Sequence, residues 1–454
     1  MTALRFRRYI QNALVLPIHQ DAGLNSYLNR GLLATFLITV CGKAAVFLTG
    51  IVLARLLGPA NLGIYAVALA VAQLLRLSTV FGLPGMVVRY VSLYDAQHSW
   101  GLLRGLLQRG LRLTVILSLV AVVIGSLVIW AARGALGLEK TLAFLAALWM
   151  VPLLDFAVLR SAVLQGFRHV TLAQIPDGLI RPLVFLVALV LFWDLGDASV
   201  GSPVTVLALQ WAVVLVTFVI GLPLLYRAVP RSVWNAAAEY DACRWRGSFV
   251  PFMFLYAIQL LLSHADVLML SALSTDLSVG LYRVASQGGE LMAFTLGIVN
   301  LVIQPVISRL HTSGDRERLQ DLITRTVRLS TIIAVPIALS LLMFGERLLA
   351  GLFGPEYQAS YLPMMILVSG QMVNVACGSV GLLLFMTGHE RDAAWSIASA
   401  LTINIALGLA LIPVFGAEGA AVASAVSLIA WNIFLYRRVR RRLAIHPTIF
   451  GRRL

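Results

Sequence analysis

Charge is scarce in this chain. Only 12% of its 454 residues are Asp, Glu, Lys or Arg, and 60% are hydrophobic, whereas a soluble globular domain carries roughly 25% charged residues. So few charges cannot cover the water-facing surface of a chain this long, which excludes an ordinary soluble fold. Cysteine is rarer still. Cys41 and Cys377 stand inside apolar runs and Cys243 in a basic segment, so neither a disulfide framework nor metal-ligand spacing exists. No phosphate-cradling glycine loop, nucleophile elbow or helix with paired zinc histidines occurs either. Asp194 and Asp197 make the best acidic pair between apolar runs, with no His or Glu beside them. No enzyme and no cofactor are expected.

The net charge of +15 raises the question of nucleic acid. No RNA-module motif, zinc-finger spacing or single basic face accompanies it. The basic residues lie in short segments between apolar runs, which is what membrane topology requires.

Those runs are the dominant feature. They fall at roughly 31–57, 62–88, 108–132, 141–160, 173–193, 203–226, 248–272, 280–308, 326–345, 359–386, 393–413 and 418–436. About 20 apolar residues span the hydrocarbon core as a helix. Helix is required because lipid offers backbone groups no hydrogen-bond partner. Membrane barrel strands would be about ten residues long and alternate in polarity. The expected fold is therefore an all-α integral membrane protein of about twelve transmembrane helices.

Arginine then orients the chain. The segments 1–30, 89–112, 160–172, 227–247, 309–328, 387–392 and 436–454 hold 27 arginines and no lysine. The alternate connections hold only Arg55, Arg133, Lys140 and Arg347. Positive residues stay on the cytoplasmic side, which places both termini there. The first 30 residues carry Arg5, Arg7 and Arg8 but no compact apolar core with a cleavage site, so they are expected to remain as a cytoplasmic arm.

The polar stretch 227–247 divides the spans six and six, giving halves at 31–226 and 248–436 and a basic tail at 437–454. Residues repeat across the divide. Leu62-Gly63-Ile64-Tyr65-Ala66-Val67-Ala68 opens span two, and Val279-Gly280-Leu281-Tyr282-Arg283-Val284-Ala285 opens span eight. Gln165-Gly166-Phe167-Arg168-His169 parallels Thr387-Gly388-His389-Glu390-Arg391, and Tyr226-Arg227 parallels Tyr436-Arg437. Six spans per repeat keep both copies in one orientation, related by an axis along the membrane normal.

The segment Leu53-Ala54-Arg55-Leu56-Leu57-Gly58-Pro59-Ala60-Asn61-Leu62-Gly63-Ile64-Tyr65 resembles the first hairpin of polysaccharide flippases of the multidrug/oligosaccharidyl-lipid/polysaccharide exporter superfamily. Phe81-Gly82-Leu83-Pro84 and Val88-Arg89 continue the likeness, as do Leu352-Phe353-Gly354-Pro355-Glu356-Tyr357 and Phe415-Gly416-Ala417-Glu418-Gly419-Ala420-Ala421. The resemblance implies two six-helix lobes facing each other in a V. It also implies alternating access and export of a polyprenyl-pyrophosphate-linked oligosaccharide across a bacterial cytoplasmic membrane. Glycosyltransferases and a glycan polymerase are the implied protein partners, and lipid the surrounding medium. Twelve spans favour the O-antigen, capsule or exopolysaccharide branch over the peptidoglycan-precursor branch, which generally has fourteen. Gly58-Pro59 is expected to make a tight turn. Gly63 and Gly280 should allow close helix approach, and Arg55 should snorkel at a helix end.

Ionisable residues at membrane depth mark the candidate site, because each costs about 2.5–3.5 kcal/mol near a helix centre. Lys43 and Arg76 lie near mid-depth on neighbouring spans. Either a pyrophosphate lies between them, or each pairs with a carboxylate such as Asp155. Asp177 and Arg181, four apart, form a self-neutralising pair. Arg283, Gln287 and Glu290 share one face of span eight. Asp266 and Glu290 are the candidates for a coupling proton or sodium ion, with an internal Arg283–Glu290 bridge as the alternative. Gln371 and Asn374 could bond sugar hydroxyls or other helices. Arg89 could receive the pyrophosphate at entry or serve topology alone. The rival functions are a drug or metabolite antiporter, whose pore should be more apolar or acidic, and a membrane glycosyltransferase, which would need a large external loop.

Overall fold

The computed structural model describes residues 22–80, 82–194 and 201–448, and every long element in it is a helix. The helices used below are α1 Ala22–Leu75, α2 Leu83–Ala96, α3 Trp100–Ala131, α4 Leu138–Trp149, α5 Val151–Gly166, α6 Arg181–Asp194, α7 Pro203–Ala228, α8 Ala242–Leu273, α9 Asp276–Thr312, α10 Arg316–Leu352, α11 Tyr361–Cys377, α12 Val380–Met386 and α13 Glu390–Leu443. Nine stretches among the described residues are long and apolar enough to cross a membrane. Two of them, Thr35–Val80 and Glu390–Leu443, reverse at Gly58 and Gly416 and so hold two spans each. Asp276–Thr312 is a further helix of 37 residues. Counted that way, the described residues contain twelve spans.

Gly58 shows why the first hairpin turns where it does. Its φ of 67° and ψ of 170° are open to glycine and strained for any residue with a Cβ. Pro59 then starts the next helix with its φ already set.

Several boundaries depart from the hydropathy runs. α1 is helical from Ala22, so helix begins inside the expected arm; residues 1–21 lie outside the described residues. Beyond α1, span two continues only as the short helix Leu77–Val80, and Gly82, which precedes α2, is left-handed. The expected connection 227–247 contains a short helix, Arg231–Asn235, and α8 starts at Ala242 within it. The tail is not free at its start either: α13 runs to Leu443, and Gln320 of α10 bonds both the amide and the carbonyl of His446.

The apolar core positions the site. One large cluster joins both halves of the chain, from Leu53, Ala54 and Leu62 to Leu270, Val279 and Tyr357. It lies toward the arginine-poor ends of the helices. Toward the arginine-rich ends the core is two separate bodies. One surrounds Val87, Leu103 and Leu159, and the other Ile307, Ile323 and Leu383. The core is thus continuous across both halves at one end and divided into two bodies at the other, where α8 still reaches α2 through the hydrogen bond from Trp245 Nε1 to the Tyr94 hydroxyl at 2.9 Å.

Candidate functional site

The joined end closes through the two repeated glycines. A Cβ on Gly63 would lie 1.9 Å from the Asp276 carbonyl oxygen, and a Cβ on Gly280 would lie 1.8 Å from that of Pro59. Pro59 stands four residues before Gly63, as Asp276 does before Gly280, so the contact is reciprocal. Polar groups reinforce it. Lys140 Nζ meets Asp276 Oδ2 at 2.5 Å, and the buried Tyr357 hydroxyl donates to the Ala54 carbonyl at 3.0 Å. Arg55 is exposed at its helix end, as expected, and is also held by backbone. Its guanidinium donates to the carbonyls of Leu352, at 2.7 Å, and Gly351, at the end of α10.

The interior cations fall into distinct states. Arg76 is not an unsatisfied charge. Its Nε donates to Asp155 Oδ1 at 2.6 Å and its Nη1 to Gln73 at 2.7 Å, with side-chain exposures of 8% and 0% for Arg76 and Asp155. Thr79 donates to the other Asp155 oxygen. The carboxylate alternative therefore holds for Arg76, and the expectation of a shared anion between it and Lys43 is corrected to that extent. Lys43 differs. It is exposed, makes no hydrogen bond or ion pair among the described residues, and lies within electrostatic reach of Glu290.

Arg160 is the residue that hydropathy misplaced. It was expected in the connection after span four, but α5 continues to Gly166 and the guanidinium is fully buried. It donates to Asp177, to which Arg181 is also bridged at 3.4 Å. The sequence signal that could have exposed it is a negative one: no Gly, Pro or polar cluster interrupts Val151–Gln165 between Pro152 and Gly166.

In the second half, Arg283 Nη1 donates to Glu290 Oε1 at 2.7 Å, so the internal bridge is present and Glu290 is not a lone carboxylate. Asp266 has no cationic partner among the described residues. Its Oδ2 accepts from Tyr282 at 2.8 Å and from Ser424, and its Oδ1 accepts from Asn404 at 2.9 Å. Asn404 Oδ1 is itself buried without a hydrogen-bond partner. Gln371, Asn374 and Asn432 form a chain: Asn432 donates to Asn374 and Asn374 to Gln371, each at 3.0 Å. This ties α11 to α13. Gly289, beside Glu290, lies 3.8 Å (from a Cβ built on it) from Gln371 Cγ. Arg89 is exposed, with no hydrogen bond or ion pair among the described residues. Gln287 borders an apolar cavity of about 290 Å³ between α1, α9, α10 and α11, lined also by Phe47, Leu341 and Met364.

Solved structures share this multi-span helical fold. Lipid II flippase MurJ, in an inward closed conformation, superimposes with a TM-score of 0.67 over 90% of this chain and 87% of that one, at 13% identity. An inward-facing multidrug resistance transporter of the MATE family gives 0.70 over 89% and 94%, at 12% identity. Residues 28–311 match the family described as polysaccharide biosynthesis protein. The match takes in more than half of the chain, which therefore belongs to that family of transporters, within the multidrug/oligosaccharidyl-lipid/polysaccharide exporter superfamily. A relative from Haloferax volcanii named "Probable low-salt glycan biosynthesis flippase Agl15" is 24% identical over 408 residues, 88% of this chain and 81% of the relative.

Proposed function

We propose that the chain flips a polyprenyl-pyrophosphate-linked oligosaccharide from the cytoplasmic to the outer leaflet of a bacterial cytoplasmic membrane, with both termini cytoplasmic. Two six-helix lobes, 31–226 and 248–436, rock about the glycine seam and expose the space between them to one side at a time. The observation that carries this reading is Lys43, an exposed cation with no hydrogen bond or ion pair among the described residues, within electrostatic reach of Glu290 in the other half. A substrate whose headgroup is anionic enters from the arginine-rich side. Its pyrophosphate meets Lys43, while the sugars reach polar groups such as Gln371 and Asn374. Arg89, at the arginine-rich end of span two, makes the first contact. Arg76 and Arg283 contribute through their fields, since both already hold carboxylates.

Asp266 is the place for a coupling proton or sodium ion. A carboxylate inside a membrane without a cationic neighbour is costly unless something neutralises it. Three neutral donors and the unpartnered Asn404 oxygen leave that role to a proton or a small cation. Glu290, already neutralised by Arg283, is the weaker of the two candidates.

Depletion of the protein in its host tests the reading. Lipid extraction should then recover a polyprenyl-linked glycan that accumulates and stays shielded from impermeant reagents outside the cell. An unchanged lipid-linked pool, with altered drug susceptibility in its place, would favour the antiporter.

A further inference from the structure

Arg160 changes what Arg181 is for. Alone on one helix, Asp177 and Arg181 would neutralise each other. α5 brings Arg160 to the same carboxylate, where it takes Asp177 Oδ2 while its Nη1 reaches the Thr217 carbonyl at 3.5 Å. Gly221 of α7 makes the room: a Cβ there would lie 1.4 Å from Arg160 Nη1. Arg181 keeps only the 3.4 Å contact to Asp177 and is 33% exposed. One carboxylate therefore serves two guanidinium groups.

The surroundings of Arg181 place that spare charge. It feels Arg76 and Arg160 as well as Asp177, and Arg76 in turn acts on His264 in the second half. A guanidinium one-third exposed at membrane depth must face water or a polar ligand and not hydrocarbon. The chain before it winds as a π-helix over Ile175–Ile180, a local widening often found at functional sites. α1 clamps this turn: a Cβ on Gly42 would lie 1.8 Å from the Gly178 carbonyl oxygen, and Lys43 follows directly.

The charges around this space then balance simply. Lys43, Arg76, Arg160, Arg181 and Arg283 face Asp155, Asp177 and Glu290. With Asp266 neutralised as proposed above, two positive charges remain. A diphosphate diester carries two negative charges and a monophosphate diester one.

We infer that Arg181 is a headgroup-binding residue, that Arg160 is the positioning residue that frees it by holding Asp177, and that Arg181 and Lys43 together select a diphosphate over a monophosphate linkage. This rests on the flippase reading. The test uses the full chain in phosphatidylcholine nanodiscs, titrated with farnesyl-diphospho-N-acetylglucosamine and its monophosphate counterpart and followed by tryptophan fluorescence. R181Q should raise the Kd for the diphosphate probe about tenfold and remove the preference over the monophosphate. D177N breaks the same bridge but leaves Arg181 in place, so its Kd should match or fall below that of the unmodified protein. Equal weakening in D177N and R181Q would show a purely structural bridge and overturn the inference. So would R181Q binding normally while K43Q is weakened, a result that leaves the flippase reading standing. Failure of the unmodified protein to bind either probe overturns both.

Discussion

Gly63 packs against the carbonyl of Asp276 so closely that no side chain fits between them. The same contact recurs with the halves exchanged, Gly280 against Pro59. Two hairpin starts related by the internal repeat thus meet each other's backbone, as a pseudo-twofold interface requires. Small residues at such crossings allow the backbones to touch, and the closed end of the protein depends on them.

Substituting Gly63 should therefore open that end. In G63V the α1–α9 seam cannot close without moving backbone, because the obstacle is a carbonyl and not a flexible side chain. A cysteine placed at Ala54, fully buried beneath the seam, should react with a small maleimide several-fold faster in G63V than with Gly63 present, in a background lacking the natural cysteines. Equal labelling rates would mean that the seam does not govern access.

The Lys140–Asp276 bridge joins the halves at the same end but is about one-third exposed. Partly exposed pairs are worth about 1 kcal/mol or less and weaken with salt. K140D should modestly speed labelling at position 54, and the exchange K140D/D276K should restore the original rate. Restoration that fails at low ionic strength would show that the bridge contributes through something other than charge.

Arg76 and Asp155 form a buried pair, and breaking such a pair costs about 3–5 kcal/mol because one charge is stranded. D155N should lower the melting temperature of the purified protein sharply. The double replacement R76M/D155L should recover much of the loss. If D155N melts normally, the pair is less buried than its side-chain exposures imply.

Asp266 is expected to carry the ion dependence of transport. D266N keeps the shape of the hydrogen-bonded cage but removes the charge, so rates should lose their response to sodium or to a proton gradient. A variant with an intact response would place coupling elsewhere.

Much of the architecture was legible because lipid imposes it. Apolar length fixes spans, and Gly63 and Gly280 stood out through their shared flanks. Partnerships were not legible, since hydropathy measures depth but not direction. Arg76 meets Asp155 from 79 residues away, and Asp266 meets Asn404 and Ser424 from 138 and 158. Arg160 was hidden for a sharper reason: a buried arginine near the end of an apolar run resembles the positive residue that ends a span. Lys43 was legible as a cation near the middle of an apolar run.

The central claim is that an anionic lipid headgroup crosses by way of Lys43. Liposomes containing the purified protein and a polyprenyl-diphosphate oligosaccharide in both leaflets permit a direct measurement, with an impermeant glycosidase added outside. Complete digestion of the glycan with the unmodified protein, digestion of only about half in protein-free liposomes, and a rate at least tenfold slower with K43Q are the expected results. Full-speed transfer by K43Q, or no transfer by the unmodified protein under any ion gradient, would contradict the account.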